Sequence, residues 1–97
     1  MALLDCHTHN PERWRDAIVS CRPGEFARLS ADYPDAVFSV GVHPWDTATC
    51  DAAGLERSLQ MLEDIATDPR VVAIGEAGLD GLRGASGDVQ EAVLRRQ

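Results

Sequence analysis

Apolar residues along this chain come in two rhythms. Short unbroken runs alternate with longer stretches in which apolar residues recur every three or four positions, the marks of strands and amphipathic helices respectively. The first run, Leu3-Leu4-Asp5-Cys6-His7-Thr8-His9, closes on two histidines one residue apart. After a polar loop containing Pro11, residues 17–21 make a second strand, stopped by Pro23-Gly24. Over 25–33, Phe26, Leu29 and Tyr33 fall on one helical face, and Pro34 ends the helix. The third strand, 36–42, is β-branched and aromatic and runs into His43-Pro44-Trp45. In the clearest helix Leu55, Leu59, Leu62 and Ile65/Ala66 form one stripe, with Asp51 as N-cap and Asp68-Pro69 as the stop. A fourth strand, 71–74, is apolar throughout, as expected where both faces are covered. It leads through Gly75-Glu76-Ala77-Gly78-Leu79-Asp80 and a glycine-bearing loop to a last amphipathic helix from Asp88. There Asp88 and Glu91 are spaced as a capping box, and Val89, Ala92 and Val93 form the apolar face.

Strands alternating with helices predict an α/β protein with a parallel sheet. One joint is awkward: the link between the first two strands is shorter than the dozen or so residues of an ordinary parallel crossover. In such folds chemistry gathers at the carboxyl ends of the strands. Three of the four predicted strands end in reactive groups: His7 and His9, then His43, then Glu76 with Asp80.

At 97 residues, 44% apolar and 26% charged, the chain can bury one modest core and has no apolar run long enough to span a membrane. With no secretory signal at its start, the expected compartment is the cytoplasm. Cys6, Cys21 and Cys50 are odd in number and dispersed, which reads as reduced thiols. A net charge of −7 argues against a nonspecific grip on a phosphate backbone, so a nucleic acid would be held by metal ions or by local arginines.

In a strand, His7 and His9 point the same way with Asp5 below them. Neutral imidazoles suit zinc and its neighbours, and a carboxylate such as Asp5 can orient one ring through its second nitrogen. Glu76 has the parity of Val72 and Ile74; if these face the inside of a curved sheet, so does Glu76. Two histidines and a glutamate form an accepted set for a catalytic ion with an open position. His43 either contacts a substrate phosphate or braces the loop held by Pro44. Asp80 is a loop brace or a site acid, with bracing preferred. Trp45 and Trp14 could stack on bases, though packing is the expected role of Trp14. Cys6, on the face opposite His7, is expected to be buried filler.

Taken together, Asp5-Cys6-His7-Thr8-His9, Gly41-Val42-His43-Pro44-Trp45 and Ala73-Ile74-Gly75-Glu76-Ala77-Gly78-Leu79-Asp80 resemble the TatD family of metal-dependent hydrolases, in order and rough spacing. The segment from Gln90 to the end is similar to the helix that follows the glutamate motif there. The resemblance implies a TIM-type (β/α)8 barrel with one or two divalent ions (Mg, Mn or Zn), and hydrolysis of phosphodiester bonds in DNA, often from an end. Carried over, it makes His7 and His9 ligands of one metal, Glu76 a ligand or bridge at the centre of the site, and His43 a neighbour of the substrate. It covers the first four of eight strands. Two further histidines and a late aspartate of the family have no counterpart among these residues.

The expectation is therefore that residues 1–97 are the amino-terminal half of such a barrel, a fragment of a longer enzyme. A complete barrel needs at least about 200 residues. Half of one leaves open sheet edges and an uncovered inner face, which invite self-association. Two rivals remain: a truncated, inactive relative acting as an interaction module, and a different amidohydrolase-like hydrolase.

Overall fold

A computed structural model describes residues 4–97; Leu3, counted in the first apolar run, lies outside the described residues. Strands β1 (Asp5–Thr8), β2 (Ala17–Cys21), β3 (Phe38–Val40) and β4 (Val71–Ile74) form one parallel sheet in the order β1-β2-β3-β4. Spatial order equals chain order, without the reversal of a doubly wound sheet, and this is how a TIM-type barrel starts. The helices are α1 (Phe26–Asp32), α2 (Asp46–Thr49), α3 (Ala52–Ile65) and α4 (Gly87–Arg96).

The short joint between β1 and β2 is a parallel connection after all. A single 3-10 turn, Pro11–Arg13, replaces the crossover helix, with the Asn10 side chain accepting from the Glu12 N–H at 3.1 Å. Trp14 packs beside that turn against the main core, in the packing role expected of it.

The core lies between one face of the sheet and the helices. Val19 and Cys21 of β2 and Phe38 and Val40 of β3 meet Phe26 and Leu29 of α1 and Leu62 of α3. The rings of Phe26 and Phe38 meet edge to face, 5.3 Å between centroids. A smaller cluster joins Val42, Leu55, Leu59 and Val93, and so fastens α3 and α4 to the segment beyond β3. Asp51 caps α3 as expected, its carboxylate accepting from the Gly54 N–H. On the opposite face small residues lie in register, Ser20 beside Ser39 and Ser39 beside Ala73.

Several expectations are corrected. The third strand is shorter than 36–42, because Gly41 and Val42 leave the ladder toward the site. β4 is not covered on both faces: Val72 is 52% exposed and Ile74 42%, because β4 is an edge of this sheet. α4 starts at Gly87 and is capped by Ser86, whose hydroxyl accepts from the Val89 N–H; no Asp88–Glu91 capping box forms. Cys6 is exposed rather than buried, since β1 is the other edge strand.

Simple alternation also fails in both edge strands. Val71 pairs with Phe38 and Ile74 with Val40, four residues against three, so β4 contains an irregularity and Ile74 falls on the core-facing side. The same count holds in β1, where Asp5 pairs with Ala17 and Thr8 with Val19. Asp5 therefore does not lie beneath the histidines, and Glu76 does not inherit its orientation from Val72 and Ile74.

Candidate metal centre

At the carboxyl ends of β1 and β4, side chains from opposite edges of the sheet converge. His7 Nε2 and His9 Nε2 are 3.2 Å apart, with the two rings nearly perpendicular. Glu76 Oε2 lies 3.2 Å from His9 Nε2 and 3.9 Å from His7 Nε2. One ligand atom from each of the three can be chosen so that all lie within 4.8 Å of one another. Bond lengths of about 2.0–2.2 Å to a tetrahedral ion would separate neighbouring ligand atoms by roughly 3.4 Å. The three observed separations bracket that value, so the donor set fits a divalent ion by chemistry and by spacing.

The close approach of β4 to β3 depends on Gly41. A Cβ there would lie 2.7 Å from the Glu76 carbonyl oxygen and from the Gly75 carbonyl carbon. Only a residue without a side chain lets the Gly75-Glu76 backbone cross here, and the crossing delivers the carboxylate to the histidines. The parallel ladder continues to this point, with the Gly75 N–H donating to the Val40 carbonyl at 3.1 Å.

His43 stands on the other side of Glu76, its Nε2 3.6 Å from Oε1. Its Nδ1 accepts from the Trp45 backbone N–H at 3.1 Å. A ring nitrogen that accepts carries no proton, so in the neutral ring the proton is on Nε2. His43 is thereby set as a donor toward the site rather than as a third imidazole ligand. The same bond braces the turn at Pro44, so bracing and a site-facing nitrogen are combined in one ring.

Asp5 does not meet an imidazole nitrogen. Its Oδ1 accepts from the His7 backbone N–H at 3.0 Å and its Oδ2 from Arg13 Nη1 at 3.1 Å, so it holds the β1 backbone rather than a ring. Asp80 lies away from the triad and braces its loop. Its carboxylate accepts from the Trp45 indole N–H and from the backbone N–H groups of Leu82 and Arg83. Those bonds, led by the indole's and aided by the Arg83 charge, lower its pKa.

A cavity of about 40 Å³ beside the triad is lined by His9, Ser20, Cys21, Arg22, Glu25, Gly41, His43 and Glu76. Sequence reasoning missed Arg22, although it directly follows the β2 strand and so shares the functional edge. Arg22 is bidentate on Asp46, with Nε 2.7 Å from Oδ2 and Nη2 3.3 Å from Oδ1. Those hydrogen bonds, with the charges of Asp46, Glu25 and Glu76, raise its pKa. Burial, with the Glu25 charge adding, pushes the Cys21 thiol up to about 11, so without an ion it stays protonated at neutral pH.

The model of the TatD related DNase family matches residues 17–97. The chain belongs to this TatD family. The match contains His43 and Glu76 but begins after His7 and His9, whose place in the site is visible in the geometry above. A stretch of 53 residues is 42% identical to the 3′-5′ ssDNA/RNA exonuclease TatD of Escherichia fergusonii. It covers 55% of this chain and 19% of that TatD protein. Among the described residues no helix is long and apolar enough to cross a membrane.

Proposed function

We propose that the chain supplies the first four strand–helix units of a TatD-type metal-dependent hydrolase that cleaves phosphodiester bonds in DNA. His7, His9 and Glu76 hold a divalent ion, magnesium, manganese or zinc, and His43 donates from Nε2 to a substrate oxygen beside it. The observation that carries this reading is the meeting of two imidazole nitrogens and one carboxylate oxygen from opposite edges of the sheet. A divalent ion bound there supplies positive charge for a phosphoryl oxygen and acidifies water at neutral pH.

The chain's own groups have distinct parts. Neutral His7 and His9 offer nitrogen lone pairs, and Glu76 offsets the ion's charge with one oxygen while its other oxygen faces His43. Asp5 keeps the His7 backbone in place, and Arg22 brings a second positive group to the cavity wall. Completion of the barrel, by further chain or by a second copy, covers the exposed strands β1 and β4.

The test is titration of the 97-residue chain with zinc and manganese, beside His7→Ala and Glu76→Ala. Both variants are expected to take up the ion at least about tenfold more weakly, in line with loss of a ligand. Equal uptake by all three proteins would remove these residues from the site. A nuclease assay on single-stranded DNA, with the full reading frame that contains these residues, then tests the substrate.

A further inference from the structure

We propose that Trp45 and Arg83 form a nucleotide-binding subsite next to the triad, the indole stacking on a nucleobase of single-stranded nucleic acid and the guanidinium meeting its phosphate. This rests on the phosphodiesterase reading for its substrate class, but on different residues. Trp45 is 43% exposed, unusual for a tryptophan fixed on three sides. The indole N–H donates to Asp80, its ring meets that of His43 edge to face at 4.9 Å, and the Arg83 guanidinium lies over it at 4.5 Å from the centroid. His43 in turn reaches Glu76, so one ring separates the indole from the triad's carboxylate.

The loop carrying Asp80 and Arg83 is bolted to the loop carrying Trp45. Gly84 has φ +96°, and a Cβ on it would come within 2.5 Å of the Pro44 carbonyl oxygen. Thr47 donates to that same carbonyl and accepts from the Ala85 N–H at 2.9 Å. Beneath both, Gln90 is 2% exposed; its Oε1 accepts from the Asp80 N–H, and the two hydrogens of its Nε2 are shared among the carbonyls of Ala85 at 2.8 Å and of Asp80 and Arg83 at 3.1 Å. A buried amide that engages the loop's backbone through both its oxygen and its nitrogen makes the loop a rigid mount. An aromatic ring held still and left open loses little freedom when a base stacks on it. The guanidinium on its face already occupies a base-like position and can give way to a base while keeping its charge near the phosphate.

The experiment uses the 97-residue chain with Trp14→Phe, which leaves Trp45 as the fluorophore, in EDTA at low salt. An oligothymidylate and an abasic oligonucleotide of the same length are the probes. The base-bearing strand is expected to quench Trp45 saturably and to bind about tenfold or more tightly than the abasic one. In the Trp14-containing chain, Trp45→Ala should remove that preference, read by anisotropy of labelled strands, whereas Trp45→Phe should keep most of it. Arg83→Ala should weaken both strands alike and flatten the salt dependence. Equal binding of the two strands, no binding of either, or an unchanged preference in Trp45→Ala overturns the proposal. Because no metal is present, His7→Ala and Glu76→Ala are expected to keep the preference. The subsite and the metal centre can therefore fail separately.

Discussion

β3 and β4 are both short, apolar and parallel, yet they meet opposite fates. Phe38 and Val40 are fully buried, while Val72 and Ile74 of the neighbouring strand stand half exposed. Composition does not separate them; position in the sheet does. β3 has a strand on each side and α1 and α3 over it, whereas β4 has a partner on one side only. The centre of the sheet supplies stability, and the edges supply the candidate metal ligands, because His7 lies in edge strand β1, His9 just after it, and Glu76 just after edge strand β4.

The contrast is most sharply tested in the core. Phe38→Ala should cost about 3–5 kcal/mol in urea unfolding, as for a large core aromatic, while Val72→Ala should stay within about 0.5 kcal/mol. Similar losses at the two positions would mean that β4 is covered in solution, as by a second copy. Gln90→Ala, at the mount below the rim, should cost about 1–3 kcal/mol, because it orphans the Asp80 N–H and removes the two amide hydrogens shared by the nearby loop carbonyls.

At the junction of centre and edge, Gly41→Ala should weaken divalent-ion binding by about 10–100-fold in titration, with little change in helix content by circular dichroism. The added methyl would press on the Gly75-Glu76 backbone and move the carboxylate away from the histidines. Unaltered affinity would show that the edge can shift without loss of the site.

The smallest effect is electrostatic and lies at the entrance to β4. Hydrogen bonds from the Arg70 guanidinium and then its backbone N–H hold the Asp68 carboxyl down at about 2. A depressed carboxyl pKa contributes stability that is fully present above the unfolded value of about 3.9 and is lost as pH falls through about 2. The difference in unfolding midpoint between the parent and Asp68→Asn should therefore shrink steadily between pH 4 and pH 2. A constant difference over that range would break the assignment.

What could be read from the sequence follows the same division. Strand and helix order, the Asp51 cap and the pairing of His7 with His9 are local matters of spacing, and they were legible. Glu76 was also singled out, but by an alternation that the irregular register of β4 does not obey. It reaches the histidines because Gly41, thirty-five positions earlier, lets two backbones cross. Cys6 and Val72 were assigned to the interior from local pattern alone, which cannot show which strands become edges. The Arg22–Asp46 pair joins segments twenty-four positions apart, and the amide of Gln90 bonds an irregular loop five to ten positions before it; no spacing rule points to either.

The amide of Gln97 accepts from the Val42 N–H at 2.8 Å and donates to the Val42 carbonyl at 3.2 Å. One side chain thus imitates the peptide unit of an adjoining strand, just where the ladder beside His43 has run out. The tail of the last helix and the approach to the imidazole are consequently latched together: neither can fray without releasing the other, and their amide protons should exchange with solvent in step.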